Sequence, residues 1–259
     1  MRHSWFQLAL LCALGAATTL VLAVLLAQIG YSGLVQPLTA MGDLAVWQAI
    51  WLSFFCATVA ASLAIGVAIP SAYALARWQF PGKTVVDALL DVPVVLSPIA
   101  LGLSLLLLFR TAPGVWIQTY VVRFVFEVPG IILAQFILAL ALSVRVLKAT
   151  FEDVDVRMEQ VARFLGCSPW KAFCYVVLPL SRSGLLAAFI LGWARALGDF
   201  GASVTIAGAV KGKTETIPIS IYLNMASVDL ERAVALMLVL SVTALVVLVS
   251  VRLLGRKAV

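Results

Sequence analysis

Long apolar runs separated by short polar connections dominate the chain, and the runs set its architecture. A helix needs about 20 mainly apolar residues to cross the hydrocarbon of a bilayer. Six segments reach that length: residues 5–29, 46–69, 84–109, 128–147, 183–209 and 233–254. The pattern predicts an all-α integral membrane protein with six transmembrane helices, residues 1–259 forming a single transmembrane domain. The first run follows Arg2 and His3 as a secretory signal would. Its apolar stretch passes the roughly 7–15 residues of a signal core, so it reads as a retained span. The third run holds Pro93 and Pro98, which remove backbone donors and bend helices. A packing kink is expected there, with a helix lining a pathway as the alternative.

A different period appears in the connection at residues 150–180. Within it lies 159-EQVARFLGCSPWKAFCYVVLP-179, a compact charged stretch between two strongly apolar segments. Val154, Met158, Val161 and Leu165 recur at i, i+4, i+7 and i+11, one stripe of an amphipathic helix. Gly166 supplies the left-handed position that commonly ends a helix. Ser168 then caps a second helix, and Pro169 suits its first turn. The apolar stripe needs a cover: lipid, the chain's own bundle, or the groove of a partner.

Composition supports the membrane reading and removes other classes. Apolar residues make up 63% of the chain and charged residues 12%, against about half and a quarter in soluble domains. Mean hydropathy is +1.11. The net charge of +6 comes without a basic stripe interleaved with aromatics, so nucleic acid is not an expected partner. The basic residues instead sort by side. Arg2, Arg77, Lys83, Arg145, Lys148, Arg157, Arg163, Lys171, Arg182, Arg252, Arg256 and Lys257 fall on one side. Arg110, Arg123, Lys211, Lys213 and Arg232 fall on the other. The richer side is cytoplasmic by the positive-inside rule, which places both termini and the 150–180 connection in the cytoplasm of a multi-pass cell-membrane protein.

The inventory of reactive side chains is thin. Cys12, Cys56, Cys167 and Cys174 show no paired spacing, and the one histidine, His3, sits at the N-terminus. Neither a metal cage nor a disulfide is expected. No G-x-x-x-x-G-K-[ST] phosphate cradle occurs, and no nucleophile–base–orienter set can be assembled. The chain is expected to be no enzyme by itself and to carry no cofactor.

Ionisable residues in a spanning helix are expensive and are functional candidates by default. Arg195 and Asp199 form an i, i+4 pair in the fifth run. They either face a pathway or neutralise each other to fix packing. Ser97, Ser203 and Thr205 offer neutral hydroxyls that would relay a polar solute without holding it, or that pack helices together. The stretch 211-KGKTETIPISIYLNMAS-227 has an apolar run too short to span, as in re-entrant or interfacial segments.

The 159–179 stretch resembles the signature loop of the membrane subunits of binding-protein-dependent ABC importers. That loop reads E-A-A, three residues, G, nine residues, I-x-L-P. Here Gly166 is followed by nine residues and then Val176, Val177, Leu178 and Pro179. Gln160, Val161 and Ala162 occupy the E-A-A slots, with Glu159 one place early. The stretches 70-PSAYALARWQFPGK-83 and 87-DALLDVPVVLSP-98 resemble the second and third spans of the family. More specifically, 193-WARALGDFGASVTIAGAVKGKTETIPISIYL-223 is similar to the molybdate, tungstate and sulfate branch. The resemblance covers about residues 46–254.

It implies a type I importer permease fold with a cytoplasmic coupling helix that docks into a separate ATPase. The coupling surface would comprise Met158, Glu159, Val161, Ala162, Leu165, Gly166, Ser168 and Pro169. The implied partners are a dimer of cytoplasmic ABC ATPase subunits, which would bind ATP and Mg, and an extracytoplasmic oxyanion-binding protein. Lys211, Lys213 and Asn224, in the short outer stretch, are the expected contacts for the binding protein. A second copy of the chain in a symmetric homodimer is the economical way to complete a pore from six spans. Molybdate or tungstate is the expected cargo, with sulfate or thiosulfate as the alternative. A self-contained secondary transporter or channel is the competing class. It would show internal repeats with paired broken helices, whereas only the third run reads as clearly broken.

Overall fold

The structure, a computed structural model, describes the backbone of residues 2–32 and 42–257, with side chains described for residues 5, 7–31 and 42–250. The side chains of Arg2, His3, Arg252, Arg256 and Lys257 lie outside this part. The described residues form helices and the short connections between them, without strands. In chain order the helices are α1 (Arg2–Ser32), α2 (Leu44–Arg77), α3 (Lys83–Val95), α4 (Pro98–Leu108), α5 (Ala112–Tyr120) and α6 (Val128–Asp153). They continue as α7 (Val156–Phe164), α8 (Pro169–Leu180), α9 (Arg182–Leu197), α10 (Gly201–Ala207), α11 (Ile217–Ala226) and α12 (Leu230–Lys257).

Four helices are long and apolar enough to cross a membrane unaided: α1, α2, α6 and α12. Two bent pairs raise the number to as many as six. The third predicted span is one of them, and its break is sharper than a packing kink. The chain turns by 114° between α3 and α4. Pro93 sits inside α3, while Pro98 opens α4 as its first residue and Ser97 Oγ accepts from the Ala100 N–H at 3.2 Å. A proline that starts a helix costs no hydrogen bond there, so a capped fresh start replaces a kink.

The expectation of a single broken segment is corrected as well. α8 and α9 meet at 73° around Ser181. The fifth predicted span, residues 183–209, also stops at Gly198 and restarts as α10. The i, i+4 apolar pattern continues across this point, and only the backbone shows the interruption.

The centre of the molecule is the contact of α2 with α6, which run parallel. Cys56 of α2 packs with Ile131 and Ala134 of α6 at one end. Ala72 and Leu75 pack with Leu147 and Phe151 at the other. The α2 face is built of alanine: Ala57, Ala60, Ala61, Ala64, Ala68 and Ala72 are all buried. Small side chains let helix backbones approach closely, the main source of association where lipid is as apolar as the interface. α9 packs antiparallel on both, its Ala188 near the Phe151 end and its Trp193 and Leu197 against Ala57 and Ala61. At Gly184 an added Cβ would lie 2.2 Å from Thr150 of α6, so no larger residue fits there.

α11 confirms the short run at residues 217–226 as an element too short to span. It starts inside the bundle, where Ser53 Oγ accepts from the Ile217 N–H at 2.8 Å. It ends near the start of α12, whose Arg232 pairs with Asp43 at the start of α2. The segment therefore dips in and returns to the same side.

Candidate functional site

The elbow formed by α7 and α8 is built as its sequence predicts. Asp155 Oδ1 accepts from the Arg157 N–H at 2.9 Å and starts α7. Gly166 takes φ +93°, and two backbone bonds close the end of α7: Cys167 N–H to Ala162 O at 3.1 Å and Gly166 N–H to Arg163 O at 3.0 Å. This is the Schellman arrangement, which requires the left-handed residue. Ser168 Oγ then accepts from Lys171 N–H at 3.3 Å, with Pro169 in the first turn of α8. Within α8 a π turn spans Phe173–Val177 just before Pro179, a residue with no N–H to continue the α-helical ladder.

The elbow has an inner and an outer surface. On the inner surface Ala162, Ala172 and Phe173 are buried, and Phe173 lies 4.6 Å from Tyr73 of α2 between ring centroids. Glu159 also points inward. It accepts a hydrogen bond from the Tyr73 hydroxyl and forms an ion pair with Arg77 Nε at 3.5 Å. The Arg77 guanidinium further donates to Val154 O at 2.8 Å. Glu159 thus anchors the elbow to the end of α2, a role its place in the motif does not reveal.

The outer surface is apolar and open. Phe164 is 90% and Leu165 82% exposed, and Met158, Val161 and Trp170 are exposed beside them. The chain's own bundle does not cover this stripe. Phe164 and Trp170 are the residues the periodicity missed: Phe164 ends α7 off the i, i+4, i+7 stripe, and Trp170 belongs to the next helix, beyond the turn at Gly166.

The hydroxyl and charged candidates in the bundle gather around the two helix breaks. Gly201, at the start of α10, lies against the start of α4, since a Cβ there would stand 3.0 Å from Pro98 and Ile99. Ser97 is exposed at this junction and serves as the α4 cap. Asp199 is buried immediately before α10. Its Oδ2 accepts from Ser203 N–H at 3.0 Å and Ser203 Oγ at 2.7 Å. Its Oδ1 makes no hydrogen bond and faces Arg195 at 3.9 Å. Thr205 Oγ1 donates to Gly201 O at 2.7 Å, and its Cβ lies where a side chain on Gly102 of α4 would need to be. The carboxylate sits where a helix start favours negative charge, and the half-exposed Arg195 partly compensates it.

The three outer candidates separate. Lys213 pairs with Glu127 at 2.5 Å, Lys211 is exposed, and the Asn224 amide donates to Ser220 O at 2.7 Å inside α11. Among the described residues no group of three or more His, Cys, Asp or Glu side chains is placed to hold a metal.

Comparison with known proteins gives this geometry a family. Residues 64–259 match the model of the binding-protein-dependent transport system inner membrane component. The chain is 33% identical over 199 residues to the molybdenum transport system permease protein ModB of Escherichia coli K12, covering 76% of this chain and 87% of that one. It is 34% identical over 218 residues to the sulfate transport system permease protein CysW of Synechocystis, covering 83% and 79%. It is 30% identical over 261 residues to CysT, the sulfate transport system permease protein of Escherichia coli K12, covering 95% and 94%. In three dimensions it superimposes on a chain of the bacterial alginate ABC transporter solved with its periplasmic protein. The TM-score is 0.76 at 14% identity, over 99% of this chain and 96% of that one. With a matched fold and a matched sequence over most of its length, the chain belongs to the inner membrane components of binding-protein-dependent transport systems, the permease subunits of ABC importers.

Proposed function

We propose that the chain forms half of the pore of an ATP-driven importer for a tetrahedral oxyanion, molybdate or tungstate, working by alternating access. The observation that carries the reading is the α7–α8 elbow. It is held rigid on its inner side by Glu159, Arg77 and Tyr73, and presents Phe164, Leu165 and Trp170 outward with nothing of its own to cover them. A rigid apolar knob of this kind suits the groove of a partner. The partner is a dimer of cytoplasmic ATPase subunits that binds ATP and Mg and transmits closure through Met158, Val161, Leu165 and the Gly166 turn. The elbow side is then cytoplasmic, along with both termini. A second copy completes the pore, and an extracytoplasmic binding protein docks near Lys211, Lys213 and Asn224.

The oxyanion class rests on likeness to permeases named for molybdenum and for sulfate transport. Molybdate or tungstate is preferred for the similarity in 193-WARALGDFGA-202 and 214-TETIPISIY-222. Ser97, Arg195, Asp199, Ser203 and Thr205, gathered at the meeting of α4 and α10, are the proposed pathway residues. Their charges nearly cancel, which suits conduction, since a strong fixed site would hold the anion.

The test uses vesicles containing this chain, its ATPase and its binding protein. ATP-driven accumulation of molybdate or tungstate is expected. Accumulation of sulfate alone would reject the cargo and keep the importer, and ATP-independent flux would reject both.

A further inference from the structure

α3 holds to α6 by a two-rung ladder of ion pairs. Lys148 Nζ meets Asp87 Oδ2 at 2.5 Å, and one turn on, Arg145 meets Asp91 Oδ2 at 2.8 Å. Arg145 lies inside the apolar run 128–147, and Asp91 lies in the first half of the broken third span. The upper rung is nevertheless open, with the Arg145 side chain 54% and the Asp91 side chain 39% exposed. Arg145 and Lys148 lie in the last third of α6, toward the elbow side, where charged side chains turn to the bundle or to water rather than to the lipid interior. No residue of α3 is buried, and Val95, one turn beyond Asp91 toward the Ser97 break, is 85% exposed. The ladder therefore spans the middle of α3, from the part-buried Asp87 rung to the more open Asp91 rung on the side toward the α3–α4 break.

We infer that Arg145 is an exit site for the transported oxyanion and that Asp91 is its resident counter-anion, displaced as the substrate passes and then restored. The guanidinium is planar and bidentate, matched to tetrahedral oxyanions as well as to carboxylates. A half-exposed pair is weak, so an arriving dianion can exchange with Asp91. The return of Asp91 expels the anion and keeps the site from trapping it, as conduction requires. Lys148 remains paired with Asp87 and keeps α3 attached during the exchange. This inference rests on the oxyanion reading above and adds a site to it.

The test measures binding of radiolabelled molybdate to the assembled permease–ATPase complex without binding protein, together with import into vesicles. Asp91→Asn frees the guanidinium and should bind molybdate at least about tenfold more tightly than wild type, with import inhibited at lower molybdate on the elbow side. Arg145→Gln should show no such gain, and the double variant should bind as weakly as Arg145→Gln. Wild-type molybdate affinity in an assembled Asp91→Asn complex would overturn the inference. So would wild-type import and trans-side inhibition in Arg145→Gln. Should Asp91→Asn fail to assemble, Val95→Cys in an otherwise cysteine-free chain decides. Its thiol should react with an anionic methanethiosulfonate, at a rate slowed by molybdate. A thiol inert to the reagent, or labelled at a molybdate-independent rate, overturns the site. A wild-type complex that imports no oxyanion rejects the proposed function, whereas normal wild-type import with these negative results rejects only the exit site.

Discussion

Arg77 and Glu159 form an ion pair, Nε to Oε2 at 3.5 Å, in which the two side chains are 8% and 12% exposed. It joins the last turn of α2 to the middle of α7 and makes the elbow one rigid body with the bundle. Pairs removed this far from water are weak evidence for stability when intact, but costly to break on one side.

Glu159→Gln should accordingly loosen the elbow, by about 3 kcal/mol, the lower end of the range for breaking a buried pair. In the assembled transporter, uptake should fall more than ATP hydrolysis, because the knob still docks but no longer moves with α2. Arg77→Met with Glu159→Met should be milder than either single change, which uptake assays on all three variants would establish.

At Gly166 the space for a side chain is open, with nothing within 4 Å of an added Cβ, yet φ is +93°. The cost of a substitution is therefore conformational, about 1–2 kcal/mol for a left-handed non-glycine residue. Gly166→Asn should be tolerated better than Gly166→Ala. Gly166→Asp adds a charge to the apolar knob and should uncouple ATP hydrolysis from transport. Full uptake with normal stimulation of the ATPase in Gly166→Asp would contradict the docking role.

Phe164 makes few contacts within the chain, so Phe164→Asp should leave the permease's own thermal unfolding within about 0.5 kcal/mol of wild type. Co-purification of the ATPase should drop sharply. Retained co-purification would move the docking surface elsewhere.

The α6–α9 contact offers a test of packing alone. A Cβ on Gly192 would sit 2.8 Å from Ser143 Oγ, a side-chain atom that can be removed. Gly192→Ala should destabilise by about 1–2 kcal/mol through overpacking, and Ser143→Ala should restore much of the loss. A thermal-unfolding double-mutant cycle in detergent measures the coupling, and additive effects would refute the contact.

Orientation is checked by thiol labelling in a cysteine-free background. Lys211→Cys should react with an impermeant reagent from outside the cell and Lys171→Cys should not. The opposite pattern would invert the proposed topology.

Much of the elbow was legible in the chain because its signals are local. Gly166, Ser168 and Pro169 act through the backbone within three residues, and the resulting turn is the one their order predicts. The number of apolar runs was legible for the same reason, since hydrophobic length is a property of the segment itself. The breaks were less so. Pro98 reads equally as a kink inside one helix or as the first residue of another, and the choice falls on whether Ser97 caps a new start.

Sequence alone therefore determined that this is a membrane-spanning chain, with a turn at Gly166 that ends one polar helix and begins the next. Tertiary structure decided which side of that turn is free. Glu159 lies 82 residues from Arg77, and Arg145 54 residues from Asp91; no periodicity links such positions. They meet because α2 and α6 run parallel through an alanine-lined contact while α3 returns alongside α6, a consequence of side-chain size at the helix interfaces rather than of any local preference.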